Sequence, residues 1–266
     1  MDKLFTLITG ASMGIGKAMA IECAGRKHNI LIVALPGIEI EITAKEIRDK
    51  FHVEVQTLAI DLSGKEAPER VYCWCLENKY NVNFLINNAG IAGTASFQES
   101  EPDYSDVRIL VNVRALVLLT RYFIPMLKQH EKAYILNIGS LSAYFPIPFK
   151  AVYSASKAFV LQFSKALRLE LKNTGISVSV VCPNGVHTNE GTFERIKAHG
   201  LMGRLTQISS TDLAKIAIKG VYNRKAVIIP KFINRLLLVL KKFIPGSLEQ
   251  KILSREFEKE MKVKNS

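Results

Sequence analysis

The stretch that decides the fold lies near the start of the chain and reads Leu4-Phe-Thr-Leu-Ile-Thr-Gly-Ala-Ser-Met-Gly-Ile-Gly16. Its apolar first half is typical of a buried strand, and a helical pattern begins at Gly14. Glycines between the two allow a tight turn and let backbone N–H groups approach a phosphate at the positive end of the helix. The alternative, a plain glycine-rich turn, is disfavoured by the strand before it and the helix after it.

Apolar runs and amphipathic runs alternate along the rest of the chain. The predicted strands are Lys3–Thr9, Asn29–Ala34, Glu54–Ile60, Phe84–Asn87, Ala133–Ile138, Ser177–Cys182 and Ala226–Ile229. The predicted helices are Gly14–Arg26, Glu39–Lys50, Lys65–Lys79, Tyr104–His130, Val152–Asn173 and Thr211–Tyr222. This alternation predicts the α/β class: a single domain with a Rossmann-type, doubly wound, seven-stranded parallel sheet and helices on both faces.

Composition narrows the class of protein further. The chain has 266 residues, of which 48% are hydrophobic, enough for a substantial core. Its four cysteines are scattered without a CxxC pair, which favours buried free thiols over a metal site or disulfides, and a reducing compartment. The residues after Met1 do not resemble a signal peptide, and no apolar run is long enough to predict a membrane span. We therefore expect a cytoplasmic protein.

The charge is strongly positive and unevenly spread. The formal net charge is +12, and from Arg224 to Ser266 eleven Lys or Arg face four Glu. Such a chain can attract nucleic acid, anionic membranes or acidic proteins. Because these charges stand beside apolar residues, and because no aromatic residues interleave with them in a recognition motif, we expect no nucleic-acid partner.

A second informative stretch runs Ile138-Gly-Ser-Leu-Ser-Ala-Tyr-Phe-Pro-Ile-Pro-Phe-Lys-Ala-Val-Tyr-Ser-Ala-Ser-Lys157. It leaves a predicted strand at Ser140 and enters a helix in which Tyr153 and Lys157 are four residues apart. That spacing puts both side chains on one helix face, where an ammonium can stabilise a phenolate. The pair suits proton transfer, although by itself it could be an ordinary exposed helix pair.

Polar residues also follow other predicted strands at the sheet edge where parallel α/β sheets bind ligands. Asp61-Leu62 follows the third strand, although Asp61 could simply cap the next helix. Asn87-Asn-Ala-Gly90 follows the fourth. Asn112 stands among apolar residues of the helix from Tyr104, so its amide needs a partner. It could satisfy only a kinked helix, or it could hold a water near the reacting site. The second strand ends in Val33-Ala-Leu-Pro-Gly37, with neither the acid of NAD sites nor the arginine of NADP sites. The lack of a repelling carboxylate there favours NADP(H) over NAD(H).

Taken together, these motifs resemble the short-chain dehydrogenase/reductase family from about Leu4 to Ile229. Thr9-Gly-Ala-Ser-Met-Gly-Ile-Gly16 resembles its cofactor loop, and Asn87-Asn-Ala-Gly90 its strand-four motif. Pro183-Asn-Gly-Val-His-Thr188 resembles its Pro-Gly motif, except that Asn184 replaces the usual glycine. Asn112, Ser140, Tyr153 and Lys157 match its catalytic tetrad in order and spacing.

The resemblance implies an NAD(P)-dependent enzyme that interconverts a carbonyl and a secondary alcohol. Tyr153 would be the acid/base, Lys157 would lower its pKa and hold the ribose, Ser140 would bind the substrate oxygen, and Asn112 would position a relay water. The implied cofactor-binding residues are Gly10, Ser12, Met13, Gly14, Ile15, Gly16, Asp61, Leu62, Asn88, Ala89, Gly90, Tyr153, Lys157, Pro183, Asn184, Gly185, Val186 and Thr188. No metal is implied. The family also suggests a homodimer or homotetramer formed through the two long helices.

The sequence gives fewer indications about the substrate-binding region and the C-terminal residues. Residues His187 to Ser210 read as a lid, and the loop from Ala92 to Asp103 is expected to border the same cleft. We assign 1–231 to the catalytic domain and 232–266 to a basic amphipathic extension. The extension could pack on the domain or a partner subunit, or lie on a membrane, which would favour a lipid-like substrate of 3-oxoacyl or steroid type. The alternative function is a nucleotide-binding regulator or scaffold without turnover.

Overall fold

The predicted strands form one parallel sheet in the computed structural model, which describes residues 3–187 and 205–265. The strands are β1 (Leu4–Thr9), β2 (Asn29–Ala34), β3 (Val55–Ala59), β4 (Asn81–Asn87), β5 (Ala133–Ile138), β6 (Ile176–Val181), β7 (Val186–His187), β8 (Ile208–Ser209) and β9 (Val227–Ile228). The seven-stranded sheet has the order β3-β2-β1-β4-β5-β6-β9, and β7 pairs with β8 in a separate two-stranded sheet. The predicted doubly wound α/β fold is therefore confirmed.

Helices cover both faces of the large sheet. They are α1 (Gly14–Gly25), α2 (Ile38–Phe51), α3 (Ala67–Glu77), α4 (Pro102–Ile109), α5 (Leu116–Leu127), α6 (Ala151–Glu170), α7 (Ser210–Tyr222), α8 (Phe232–Lys241) and α9 (Gly246–Asn265). Helices α1, α2 and α7 pack on one face, and α3, α5 and α6 on the other. Both faces of the central strands are thus buried, which explains why those strands read as continuous apolar runs rather than as alternating patterns.

The strand order creates the crevice in which a ligand can bind. Strand β1 pairs with β2 on one side and with β4 on the other, so the connections leave β1 and β4 in opposite directions along the sheet. In open parallel sheets, ligands bind outside the carboxyl ends of the strands at such a reversal. The glycine loop follows β1 and the Asn87–Gly90 motif follows β4, so the fold brings both motifs to this point.

One continuous helix, Pro102–Leu127, is long and apolar enough in composition to be considered as a membrane span. Part of its apolar surface faces the protein core, because Leu119, Phe123 and Leu127 are fully or almost fully buried against the sheet. A buried core helix explains its high hydropathy without a membrane.

The extension after the sheet consists of α8 and α9. Asn234 of α8 is buried and donates to the Pro230 carbonyl at 3.0 Å, which ties the start of the extension to the end of the domain. Lys241 donates to the Tyr144 carbonyl and pairs with Glu249 at 3.1 Å. The extension therefore contacts the loop that leads from Ser140 to Tyr153.

The cysteine prediction is confirmed at three positions and wrong at one. Cys23, Cys75 and Cys182 are buried free thiols, whereas Cys73 is exposed. Cys73 lies two residues from Cys75 on α3, so it points away from the core face. In the described part of the chain, no three His, Cys, Asp or Glu residues cluster as metal ligands would.

Candidate active site

The glycine loop after β1 has the backbone geometry that the sequence suggested. Gly10 and Gly14 adopt φ values of +64° and +58°, which L side chains rarely adopt. A side chain at Gly16 would place its Cβ 2.5 Å from Asn88 Nδ2, so close packing requires glycine there. The loop can therefore bring its backbone near a ligand only because these three positions lack side chains.

The loop ends at a helix terminus that no side chain caps. Met13 is extended at the N-cap position of α1, makes no side-chain cap, and is 58% exposed. The first N–H groups of a helix have no partner within the helix and attract anions. Ser12 is fixed from behind, since its carbonyl accepts from Thr43 Oγ1 at 2.8 Å. Residues from Ser12 to Gly16 thus fit the pyrophosphate of a dinucleotide.

The Asn87–Gly90 motif holds this loop in place. Asn88 Nδ2 donates to the carbonyls of Thr9 and Gly10 at 2.8 and 3.0 Å. Thr9 Oγ1 in turn accepts from the backbone N–H groups of Asn88 and Ala89 at 3.0 and 2.9 Å. The Asn88 side chain is therefore engaged within the protein, and Thr9 is a supporting residue missing from the predicted set, although it stands directly before Gly10.

Lys157 lies at the centre of the site. It is 6% exposed, and its Nζ donates to the Ile138 carbonyl at 2.8 Å. Burial lowers the pKa of Lys157 from 10.5 to about 8, partly opposed by the nearby Cys182 thiol. Its ammonium lies 5.9 Å from the centre of the Tyr153 ring. The two residues are thus brought together on α6, as their spacing predicted.

Asn112 lies in a π-helical turn, Leu110–Ala115, between α4 and α5. It is 1% exposed, and its Oδ1 accepts from the Ile91 N–H at 2.7 Å while its Nδ2 donates to the Ile91 carbonyl at 3.0 Å. Nδ2 also reaches Ser156 Oγ at 3.2 Å. Such wide turns are frequent at functional sites. The buried amide has its partners, and it fixes the chain just after the strand-four motif.

Gly90 lies between the side chains of Asn112 and Lys157. A Cβ built there would lie 3.2 Å from Asn112 Oδ1 and 3.4 Å from Lys157 Nζ. The structure therefore brings Asn112 and Lys157 to the same glycine, although they come from different helices.

Ser140 follows β5 in an extended conformation and begins the short 3₁₀ helix Leu141–Tyr144. Its Oγ accepts from the Ser142 N–H at 3.1 Å, which leaves its hydroxyl proton available to a substrate oxygen. The next residue, Leu141, donates its N–H to the Pro183 carbonyl at 2.8 Å. This bond joins the strand-five loop to the Pro-Gly motif.

The Pro183–Val186 segment carries the remaining predicted cofactor residues on this side. Pro183 and Val186 are buried, whereas Asn184 and Gly185 are half-buried. The Gly185 carbonyl accepts from the Ile208 N–H at 2.9 Å, and Val186 pairs with Ile208 between β7 and β8. Thr188 and most of the predicted lid lie outside the described residues.

Asp61 and Leu62 follow β3 as predicted. Asp61 is exposed and accepts from the Ser63 N–H at 2.9 Å, so it closes a turn and does not cap α3, which begins at Ala67. The Leu62 side chain is buried in the core, so a ligand could meet only its backbone.

The end of β2 is apolar and open. Leu35 and Ile38 are 62% and 72% exposed. The Glu39 carboxylate bends back towards Gly37, where a Cβ would lie 2.6 Å from Glu39 Oε2. Glu39 therefore places a carboxylate beside Gly37, close to the end of β2.

A cleft opens beside Tyr153. The residues that line it are Gly93, Ala95, Phe97, Ser100, Tyr104, Ser105, Arg108, Phe149, Lys150, Ala151, Val152 and Tyr153. The expectation that the loop from Ala92 to Asp103 borders the cleft is confirmed. Tyr104 and Arg108 were not predicted as site residues, because a helical arginine and tyrosine look like solvated positions in sequence.

The fold, the uncapped glycine loop and the buried lysine beside Tyr153 are the features expected of a dinucleotide-binding α/β protein. A sequence model of the short chain dehydrogenase family matches residues 5–197. The chain therefore belongs to the short-chain dehydrogenase family.

Its curated relatives include very-long-chain 3-oxoacyl-CoA reductases and a 3-hydroxy acid dehydrogenase. The chain is 32% identical over 199 residues to the very-long-chain 3-oxoacyl-CoA reductase of Bos taurus, covering 72% of this chain and 62% of that one. It is 30% identical over 235 residues to the NADP-dependent 3-hydroxy acid dehydrogenase of Schizosaccharomyces pombe, covering 86% and 91%. The chain thus spans about three-fifths of the length of the bovine relative.

Solved structures agree with the fold. A short-chain dehydrogenase from Sphingobium yanoikuyae in complex with NADPH is 30% identical, with a TM-score of 0.75 over 91% of this chain and 96% of that one. The bulky-bulky ketone specific alcohol dehydrogenase from Comamonas testosteroni is 28% identical, with a TM-score of 0.75 over 91% and 95%.

Proposed function

We propose that this protein is an NAD(P)-dependent oxidoreductase that interconverts a carbonyl and a secondary alcohol. The observation that carries the proposal is the buried ammonium of Lys157, 5.9 Å from the Tyr153 ring, on a helix that starts beside the cleft. Burying a cation costs free energy, and groups with perturbed pKa values of this kind cluster at functional sites.

In this proposal each residue of the tetrad has a distinct task. Tyr153 donates its phenolic proton to the substrate oxygen during reduction and accepts it during oxidation. Lys157 stabilises the phenolate that this transfer leaves, since opposite charges favour the ionised form. Ser140 donates a hydrogen bond to the same substrate oxygen. The bound nicotinamide supplies or accepts the hydride.

Asn112 holds the backbone around Ile91 through two hydrogen bonds. We assign it the task of keeping Gly90 beside Lys157. Residues Gly10 to Gly16 would hold the pyrophosphate, and Asp61, Leu62 and the Pro183–Val186 segment would flank the two ends of the dinucleotide.

The test is the activity of Tyr153→Phe on ketones with NADPH and NADH. We expect the variant to lose about 10² to 10⁴ in kcat/KM while still binding dinucleotide, because only the proton donor is removed. Tyr72→Phe on α3 removes a hydroxyl from a residue that does not line the cleft, and it should keep full activity. Dinucleotide binding by the wild type without turnover of any ketone or alcohol would instead favour a nucleotide-binding regulator or scaffold.

For the cofactor we propose NADP(H). Support comes from the NADP-dependent fission-yeast relative and from the NADPH-bound Sphingobium structure, whereas the Glu39 carboxylate beside Gly37 opposes a 2′-phosphate. The ratio of kcat/KM for NADPH and NADH tests this directly. Glu39→Gln measures how far that carboxylate opposes a 2′-phosphate, and a wild-type preference for NADH would overturn the proposal.

For the substrate we propose a lipid-like carbonyl compound, with 3-oxoacyl compounds ahead of steroids. The support is that relatives from cattle and fission yeast are named for 3-oxoacyl-CoA and 3-hydroxy acids. A panel of 3-oxoacyl thioesters, 3-oxo acids, steroids and sugars would rank these classes by kcat/KM. Preference for a sugar would refute the lipid-like class.

We further propose a cytoplasmic enzyme whose extension, residues 232–266, touches membranes. Phe232 and Phe243 are 76% and 79% exposed, and Arg235 and Lys242 are close to them in sequence, so the extension combines exposed apolar groups with basic residues. Such surfaces bind anionic membranes. The full chain should float with anionic liposomes, whereas a version ending at Lys231 should not. Equal flotation would overturn the proposal.

The proposed oligomer is a homodimer or homotetramer formed through the two long helical segments. Exposed apolar residues on them, Ile109, Phe159 and Leu169, support this, and Phe159 stacks on Phe163 at 5.8 Å. Light scattering should give twice or four times the 29.7 kDa chain mass. Phe159→Glu should shift the protein towards monomer, and a monomeric wild type would refute the proposal.

A further inference from the structure

Arg108 is a buried cation that the proposed reaction does not use. It is 7% exposed and lies on α4 at the wall of the cleft beside Tyr153. No ion pair joins it to a carboxylate of any described residue. A guanidinium taken out of water without a counter-charge is costly, so its burial calls for an explanation.

Part of the guanidinium is satisfied by the protein. Nη2 donates to the Ala92 carbonyl at 2.9 Å, Nη1 donates to the Tyr104 carbonyl, and the guanidinium carbon lies 3.3 Å from the centre of the Tyr104 ring. Among the described residues, two buried donors find no acceptor, however: Arg108 Nε and the Tyr104 hydroxyl. An unmet buried donor is rare in folded proteins and marks either strain or a binding function.

Arg108 and Tyr104 lie on α4, which continues directly into the π-helical turn that carries Asn112. Arg108 and Asn112 are four residues apart, so they share a helix face and hold the consecutive backbone residues Ala92 and Ile91. The next residue, Gly93, has φ +154°, and a Cβ there would lie 2.5 Å from Arg108 Nη2. Glycine at this position therefore lets the guanidinium pack directly against the backbone of the loop after β4.

The described residues that line the cleft include Arg108 and no Asp or Glu. The unmet donors of Arg108 and Tyr104 therefore favour an anionic, oxygen-bearing group over a neutral one.

We propose that Arg108 and Tyr104 form a subsite for the carboxylate of the substrate, which makes 3-oxo and 3-hydroxy acids the preferred substrate class. This rests on the proposed carbonyl–alcohol chemistry, because the carboxylate is placed relative to an oxygen at Tyr153. The guanidinium and the phenol would donate to the carboxylate, while the substrate oxygen at the third carbon faces Tyr153.

The experiment measures binding, so it does not depend on turnover. The dissociation constants of 3-hydroxyoctanoate and its neutral amide are determined by calorimetry with the full chain and excess NADPH, a pairing in which no oxidation can occur. We expect the acid to bind the wild type about tenfold or more tightly than the amide, the magnitude of one charge-assisted hydrogen bond. Tyr104→Phe and Arg108→Lys should each remove most of that preference, whereas Tyr72→Phe should keep it.

Equal binding of acid and amide, binding of neither, or an unchanged preference in Tyr104→Phe would overturn the subsite. Tyr104→Phe carries the test if Arg108→Lys does not fold, since it deletes only a hydroxyl. A wild type that binds the acid but reduces no ketone would refute the proposed function and leave the carboxylate subsite standing.

Discussion

Replacing Lys157 with Met should stabilise the folded protein at neutral pH while abolishing turnover. Burial lowers the pKa of Lys157 from 10.5 to about 8, and a lowering of this size corresponds to about 3 kcal/mol lost by holding the ammonium in the core. The variant also loses the bond to the Ile138 carbonyl, which is worth about 1 kcal/mol. The net expectation is a gain of about 2 kcal/mol in the free energy of unfolding at pH 7.

The gain should depend on pH in a defined direction. Because the pKa in the folded state lies below the unfolded value, the unfolded wild-type chain binds more protons than the folded chain between about pH 8 and 10.5. Wild-type stability therefore rises relative to the variant across this window. The advantage of Lys157→Met should be full below pH 8 and should be gone near pH 10.5.

Urea unfolding followed by circular dichroism at pH 7, 9 and 10.5, without added nucleotide, measures this difference. Lys132→Met at an exposed position is the control and should change stability by less than about 0.5 kcal/mol. A variant that is less stable at pH 7, or a difference that stays constant with pH, would refute the reasoning about the buried charge.

Three further substitutions test the geometry of the site and its support. Asn112→Ala removes the hydrogen-bond partner of both the N–H and the carbonyl of Ile91, and should lower the free energy of unfolding, measured with urea, by about 3 kcal/mol. A loss below about 0.5 kcal/mol would contradict this prediction. Gly16→Ala places a methyl 2.5 Å from Asn88 Nδ2 and should weaken dinucleotide binding at least about tenfold, whereas an unchanged Kd would show that the loop can move away. Asn137→Ala removes the buried hydrogen bonds of Asn137 with Asn87 and Ser164, and should lower the free energy of unfolding by about 1 to 3 kcal/mol with KM unchanged. A raised KM would instead place Asn137 in the site.

Most of the candidate site could be predicted because its residues are close in sequence or follow strand ends. The four-residue spacing of Tyr153 and Lys157 places them on one helix face before any tertiary contact is known. The glycines of the loop after β1 predict a backbone with positive φ, which Gly10 and Gly14 adopt. Local rules of this kind need no knowledge of which distant segments meet.

The sequence did not reveal the residues whose importance depends on distant contacts. Thr9 matters because β1 and β4 are neighbours, which lets its hydroxyl accept from two N–H groups eighty residues away. Arg108 reads as a surface cation in sequence and is buried only because the loop after β4 folds over it. Cys73 was expected in the core and is exposed, because its neighbour Cys75 takes the inward face of α3.

The sequence by itself determined the doubly wound parallel sheet, its glycine loop and the tyrosine–lysine pair, because periodicity and glycine placement are local properties. Only the tertiary structure decided how much of each polar group is withdrawn from water. The core that forms around Lys157 lowers its pKa, and the fold of the loop over Arg108 leaves two donors unmet beside the cleft. Both effects arise from desolvation, which depends on what surrounds a residue and not on what precedes it in the chain.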